Sequence, residues 1–298
     1  MNTLEKYSPL LFLLMWSSGA IFVKLGLEDA SASVFLTVRS VGASLALMLV
    51  SLWIARHQGL RARLRMPKDL LIKAIAIGIL LQVAYQTTYF LALDYQLTPG
   101  VLAIILGLQP ILTPLFANEK NGRLGYFYLI LGLAGLTIAV VGARELGAIT
   151  AAGVLCGLAS VIAISAGSVM QKKCVIDPVT SAFYQAMTAS CIFLAVLPLT
   201  DVELKITPTF LASAAWMVVV VSTLATLLLF RMLAKHSASK VGVLFYITPV
   251  LTMLLDYLVF GNRVTWVTFA GALLVVAAVK GFGRVQAAHA VVASKVQE

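Results

Sequence analysis

Gln82, Tyr85, Gln86 and Tyr89 stand in the stretch LLQVAYQTTYFLAL, inside a run that is otherwise apolar. Their spacing of i, i+3, i+4, i+7 puts all four on one face of a helix. Carboxamides both donate and accept hydrogen bonds, and phenol rings add broad π surface with a hydroxyl at the edge. That combination suits flat aromatic solutes and organic cations. An interhelical hydrogen bond contributes only about 1 kcal/mol in a membrane, so one Gln would serve as glue; four such groups read either as a cavity lining or as a structural network.

Other polar groups sit in equally apolar surroundings. Arg39 lies one turn into an apolar run, where a charge at full depth costs roughly 2.5 to 3.5 kcal/mol. It either snorkels to the outer surface or serves as a carboxylate or gating partner. Pro110 and Pro249 cannot donate the helix hydrogen bond, which releases the carbonyls of Leu106 and Phe245 and kinks the helix. Those carbonyls must face protein or a wet cavity, and Gln109, Tyr246 and Thr248 stand beside them as packing or lining groups. Trp16 and Ser17 before Gly19, Ser165 before Gly167, and the pair Tyr184 and Gln185 are further lining candidates, each with a packing role as the alternative.

Catalytic chemistry finds no equivalent set. His57, His236 and His289 fall in loops or the tail, and Cys156, Cys174 and Cys191 have no ligand-like spacing. No nucleophile, base and metal set converges, so the chain reads as no enzyme, with no metal and no cofactor. Asp94 and Asp256 lie near span ends rather than at mid-depth, which leaves no evident proton or sodium carrier.

The elements that must position these groups follow from composition. Hydrophobic residues make up 61% of 298, charged residues 11%, and the mean hydropathy is +0.99, which no soluble domain approaches. Ten spans are expected: Ser8 to Leu27, Val34 to Ile54, Leu70 to Leu93, Thr98 to Ala117, Leu124 to Ala143, Thr150 to Gln171, Val179 to Leu199, Thr209 to Ala234, Ala238 to Phe260 and Thr265 to Phe282. The first is read as retained rather than cleaved. One set of loops and ends receives sixteen Lys and Arg, including Arg56, Arg61, Arg63 and Arg65; the other receives Lys24, Arg144, Lys205 and Arg263. The bias puts both termini in the cytoplasm, and it accounts for the net charge of +10 without nucleic acid.

The halves repeat. A shift of 148 places SGAIFVK on AGSVMQK, and a shift of 139 places Pro110 on Pro249, Thr113 on Thr252, Gly122 on Gly261, Gly132 on Gly271 and Gly142 on Gly281. Five spans per copy is an odd number, so the second copy is inverted in the membrane, an arrangement typical of transporters. The expected organisation is a first repeat at 1–146, an inverted second repeat at 147–284 and a cytoplasmic tail at 285–298.

WSSGAIFVK mirrored by ISAGSVMQK, GLQPILTPLFA mirrored by YITPVLTMLLD, and glycine-rich fifth and tenth spans resemble the drug/metabolite transporter superfamily over residues 8 to 284. The chain is most similar to the EamA-type branch and, within it, to YddG-like exporters of aromatic amino acids. The second copy carries YLVFGNR where the first carries FANEKNG, so a family role for that acid would apply to Glu119 alone. The resemblance implies an all-α polytopic membrane protein with two inverted five-helix repeats around a central cavity. It implies export of amino acids and aromatic metabolites, and of organic cations, across a bacterial inner membrane by a carrier acting as a monomer among lipids. A multidrug, quaternary-cation or sugar-type permease is the alternative within transport; an intramembrane enzyme or a lipid-binding scaffold is the alternative outside it.

Overall fold

The computed structural model describes residues 3–56, 64–97, 99–142, 150–261 and 265–296. Thr98, Ala143 and the loop residues His57, Arg61, Arg63, Arg144, Glu145 and Arg263 lie outside the described residues, as do the side chains of Lys6, Asp256, His289 and Lys295. The boundary expected between residues 146 and 147 lies outside them too.

Long apolar runs become helices because in hydrocarbon each backbone amide must find its partner inside the segment. The helices are α1 (Thr3–Gly26), α2 (Ala32–Ala55), α3 (Lys68–Asp94), α4 (Pro99–Leu106), α5 (Gln109–Ala117), α6 (Gly122–Gly142), α7 (Ala151–Lys173), α8 (Pro178–Val196), α9 (Pro208–Lys235), α10 (Ala238–Phe260) and α11 (Trp266–Val296). Among the described residues nine of them are long and apolar enough to cross a bilayer, and an isolated bridge between Ala30 and Leu204 is the only β pairing.

The expected fourth span is not one helix. It breaks at Gly107 and Leu108 into α4 and α5, because Pro110 offers no amide to the Leu106 carbonyl. The corner tightens instead, with Leu108 N donating to Ile105 O at 3.0 Å and Ile111 N to Leu108 O at 3.0 Å. α10 has a similar device: a 3-10 turn over Val243–Tyr246 precedes Pro249. Gly122 and Gly261, paired by the shift of 139, both adopt left-handed backbone, at φ 63° and 73°.

Two helices carry π-helical segments, Ile79–Ala84 in α3 and Met217–Ala225 in α9. The second is buttressed by hydroxyls: Thr223 Oγ1 donates to Val218 O at 2.8 Å and Thr226 Oγ1 to Val221 O at 3.2 Å, each five residues back. Such segments concentrate at functional sites.

The chain packs as two units, each drawing on both halves of the sequence: Met1–Gln86 with Met170–Lys235, and Thr87–Val169 with His236–Glu298. In the first, Val34, Phe35, Phe210, Met217 and Val221 form a buried cluster. Phe22 stacks on Trp216 with centroids 4.7 Å apart, and the Trp216 indole donates to Ser18 Oγ at 3.0 Å. At one end Ser31 N donates to Glu203 O at 2.9 Å and Lys205 N to Asp29 O at 2.7 Å, while the Thr207 hydroxyl donates to the Asp29 carboxylate. α3 reaches α8 backbone to backbone at Gly78, where an added Cβ would stand 2.9 Å from Gln185 Cα.

The second unit is organised on α6 and α11. Gly135 and Gly271 let their backbones meet: a Cβ on Gly271 would lie 2.4 Å from Ala139 N and 2.6 Å from Gly135 O. Tyr246 is fully buried there and donates its hydroxyl to Leu129 O at 2.7 Å. Where α5 ends, Glu119 accepts from Ala238 N at 2.9 Å and Ser239 N at 3.0 Å, and from the Ser239 hydroxyl, so its carboxylate sits on the first turn of α10. α11 runs 31 residues, continuing as helix through most of the segment expected as a tail.

Candidate functional site

Within the first unit four helices leave a small polar pocket. α2 presents Arg39 and Ser40, α3 presents Gln82 and Gln86, and α9 presents Ser222 and Thr226. The remaining wall is alanine: Ala43 of α2 with Ala182, Ala186 and Ala189 of α8. Residues three and four apart share a helix face, so each helix shows the pocket one stripe. Small walls on α8 let the longer groups of α2, α3 and α9 converge without clash. The π-helical segments bear on the same place, since Gln82 and Ser222 lie inside them and Gln86 and Thr226 stand just after them.

Hydrogen bonding inside the pocket is unequal. Arg39 Nε donates to Ser222 Oγ at 2.7 Å, and Gln86 Nε2 donates to Gln82 Oε1 at 2.8 Å. The Ser40 hydroxyl donates to Thr37 O at 3.0 Å and that of Thr226 to Val221 O. The Ser40 and Thr226 hydroxyl donors are thus spent on their own helices, and the Ser222 oxygen accepts from Arg39. The terminal guanidinium nitrogens of Arg39 and the Gln82 amide nitrogen retain donor capacity, and among the described residues no carboxylate lines the pocket. The room inside is about 10 Å³, on the order of one water molecule.

Of the sequence-predicted residues, Arg39, Gln82 and Gln86 are brought together here. Tyr85 lies within electrostatic reach of Arg39. Tyr89 instead packs beside Ala92, Leu97 and Leu102 in the second unit and meets the Phe90 ring at 5.8 Å, so the stripe does not serve a single surface. Tyr184 donates its hydroxyl to Leu64 O at 2.8 Å. Gln185 is fully buried in a carboxamide cluster, its Nε2 2.6 Å from Gln171 Oε1 and 2.9 Å from Ser181 Oγ. Neither joins the pocket. Trp16 lies against Phe12 at 5.3 Å, and Ser17 is fully buried. In the second unit Gln109, Pro110 and Tyr246 are buried, Thr248 and Pro249 are half-buried, and the fully buried Ser165 has no hydrogen-bond partner among the described residues.

Ser40, Ser222, Thr226 and the α8 alanines were not singled out from sequence. A signal existed in VVVVSTLATLLLF (218–230), where three hydroxyls interrupt an apolar run. Among the described residues no three His, Cys, Asp or Glu side chains are placed to hold a metal ion.

Comparison with known proteins gives a consistent picture. The model of the EamA-like transporter family matches residues 9–142 and again residues 151–282. The uncharacterized transporter YvbV of Bacillus subtilis (strain 168) is 27% identical over 276 residues, which span 89% of this chain and 87% of that protein. A protein of known crystal structure is similar over 96% of this chain and 98% of its own, with a TM-score of 0.78 at 20% identity, a likeness of fold.

Proposed function

Starting from the chain's membership of the EamA-like transporter family, a family of membrane transporters and not of enzymes, we propose that it exports amino acids, aromatic ones above all, by alternating access. The observation that carries this reading is the pocket of Arg39, Gln82, Gln86 and Ser222, a hydrogen-bonding recess among apolar spans with no catalytic set in it. Tyr85, beside Arg39, supplies a ring for a flat side chain, a contact type that contributes about 1 kcal/mol. The wider frame of the proposal is ten spans as two inverted repeats at 1–146 and 147–284, enclosing a cavity, in a bacterial inner membrane, working as a monomer. The remaining lining candidates, Trp16, Ser17, Gln109, Ser165, Tyr184, Gln185, Tyr246 and Thr248, and the ring of Tyr89, belong to that wider frame, with Pro110 and Pro249 as its kinks.

Counterflow in liposomes holding the purified protein tests it. Labelled phenylalanine and tryptophan are expected to exchange faster than leucine, and Tyr85→Leu to cut the aromatic rates about fivefold per folded molecule. Exchange of no amino acid would end this reading. Because no acid lines the pocket, an imposed pH gradient is expected to change the rate little; strong uphill accumulation driven by it would refute the facilitated mechanism.

Orientation has its own check. After replacement of Cys156, Cys174 and Cys191, a cysteine at position 61 is expected to react with an impermeant thiol reagent only in opened cells, and one at position 145 in intact cells. The reverse pattern would place the termini outside.

A further inference from the structure

We propose that Arg39 is an anion anchor: its guanidinium takes the carboxylate of the transported solute, so the pocket selects carboxylated solutes over the matching amides, amines and quaternary cations. The inference rests on the pocket being a substrate site, as proposed above, but not on any preference for aromatic side chains.

Three observations converge. The first is charge. Arg39 stands about two turns into α2, pairs with no carboxylate among the described residues and uses only Nε, toward Ser222. Joining α2 to α9 requires just that one donor. A guanidinium presents a planar fork that matches a carboxylate with two parallel bonds, and the terminal nitrogens of Arg39, a lining residue, have no hydrogen-bond partner among the described residues.

The second is donor balance. The Ser40 and Thr226 hydroxyls are turned to helix carbonyls, and the Gln86 amide is turned to Gln82. Donors remain on the Arg39 and Gln82 nitrogens and acceptors on the Ser40, Thr226 and Gln86 oxygens, and the charge of the described lining is the Arg39 cation, so an anionic group is the complementary guest. A quaternary ammonium would meet a like charge and no acid.

The third is size. Room on the order of one water molecule takes one oxygen of a head group and excludes an indole or a phenyl ring. A carboxylate can place one oxygen in it, with the rest of the solute outside the recess. The alanine wall of Ala182, Ala186 and Ala189 keeps this recess open beside the guanidinium.

The test uses the purified full-length chain at fixed ionic strength, reading melting temperature against concentration of sodium benzoate, L-phenylalanine, L-phenylalaninamide, tetramethylammonium chloride and sodium chloride. Benzoate and L-phenylalanine are expected to stabilise the wild type, and the amide and the cation are not. Arg39→Gln is expected to raise the half-saturating carboxylate concentration ten- to a hundredfold, with Arg39→Lys between the two because it keeps charge without the fork. Should Arg39→Gln fail to fold, the lysine variant and the carboxylate-against-amide comparison in the wild type still decide. Equal responses to L-phenylalanine and its amide, a response to chloride alone, no response to any carboxylate, or an unchanged Arg39→Gln would each overturn the proposal. If benzoate binds through Arg39 while counterflow finds no amino acid exchange, the amino acid reading fails and the anchor stands. If amino acid exchange is unaltered in a folded Arg39→Gln protein, the anchor fails and the amino acid reading stands.

Discussion

Replacing Gly271 by alanine, the smallest change available, is expected to abolish or nearly abolish the folded protein. The new methyl carbon would lie 2.4 Å from Ala139 N, 2.6 Å from Gly135 O and 2.8 Å from Ala139 Cα. These are backbone atoms of α6, held in place by its helical hydrogen bonds, so none can turn aside as a side chain would. The helices must part, and the loss spreads to Gly135, whose own space is bounded by Leu274 Cβ and Val275 N at 2.9 Å. Overpacking in a relaxed core costs about 1 to 3 kcal/mol; with no flexible atom to yield, the cost here should exceed about 3 kcal/mol. Yield of monodisperse protein and melting temperature in detergent measure it. Gly283 on the same helix is the control, since nothing lies within 4 Å of a methyl added there. Gly283→Ala should leave stability unchanged or raise it by up to about 1 kcal/mol, the difference between the two residues in a helix interior. If both variants melt alike, close approach of α6 and α11 is not what holds the second unit.

Removing the Glu119 carboxylate should be the next most costly change. It satisfies two of the amides that begin α10, which have no partners within their own helix, and it places a negative charge at the positive end of the helix. Around it, Asn121 Nδ2 donates to Ser239 Oγ at 3.3 Å and Gln286 Nε2 to Asn121 Oδ1 at 2.6 Å, so α11 is tied into the same corner. Glu119→Ala is expected to cost about 2 kcal/mol, and Glu119→Gln about half as much, since the amide keeps one acceptor. Ser237→Ala, which removes only the cap to Lys240 N, should cost about 1 kcal/mol. Melting temperatures in the order wild type, Ser237→Ala and Glu119→Gln, then Glu119→Ala check the assignment; indistinguishable Glu119 variants would mean that water serves these amides equally well.

The spans were legible because twenty apolar residues in a row have few alternatives in a bilayer, and the expected spans other than the fourth each fall on one of the nine long helices. The break between α4 and α5 was legible in part. Pro110 announces a kink, but whether a helix bends or interrupts itself depends on partners elsewhere: Gly107 lies where an added methyl would meet Leu136 Cδ2 at 2.5 Å. The π-helical segments were not legible, since they depend on how hydroxyls such as those of Thr223 and Thr226 choose between carbonyls four and five residues back. In the pocket, Gln82, Gln86 and Arg39 stood out as polar groups among apolar ones. Ser222 did not, because what distinguishes it is contact with a residue 183 positions away. Tyr246 stands out in the sequence as a lining candidate one turn from Pro249, and its hydroxyl is engaged with Leu129 O.

The length of α11 bears on how this protein can be instrumented. Thirty-one residues at about 1.5 Å each give a cylinder of about 46 Å, against about 30 Å of hydrocarbon. Roughly ten residues therefore project past the acyl chains as a stiff post. A fluorophore attached after Val296 would ride on that post instead of sweeping a hemisphere, giving energy transfer to a dye in the lipid headgroups a narrow, single-peaked efficiency distribution. A proline placed near residue 286 would turn the post back into a tether and broaden the peak.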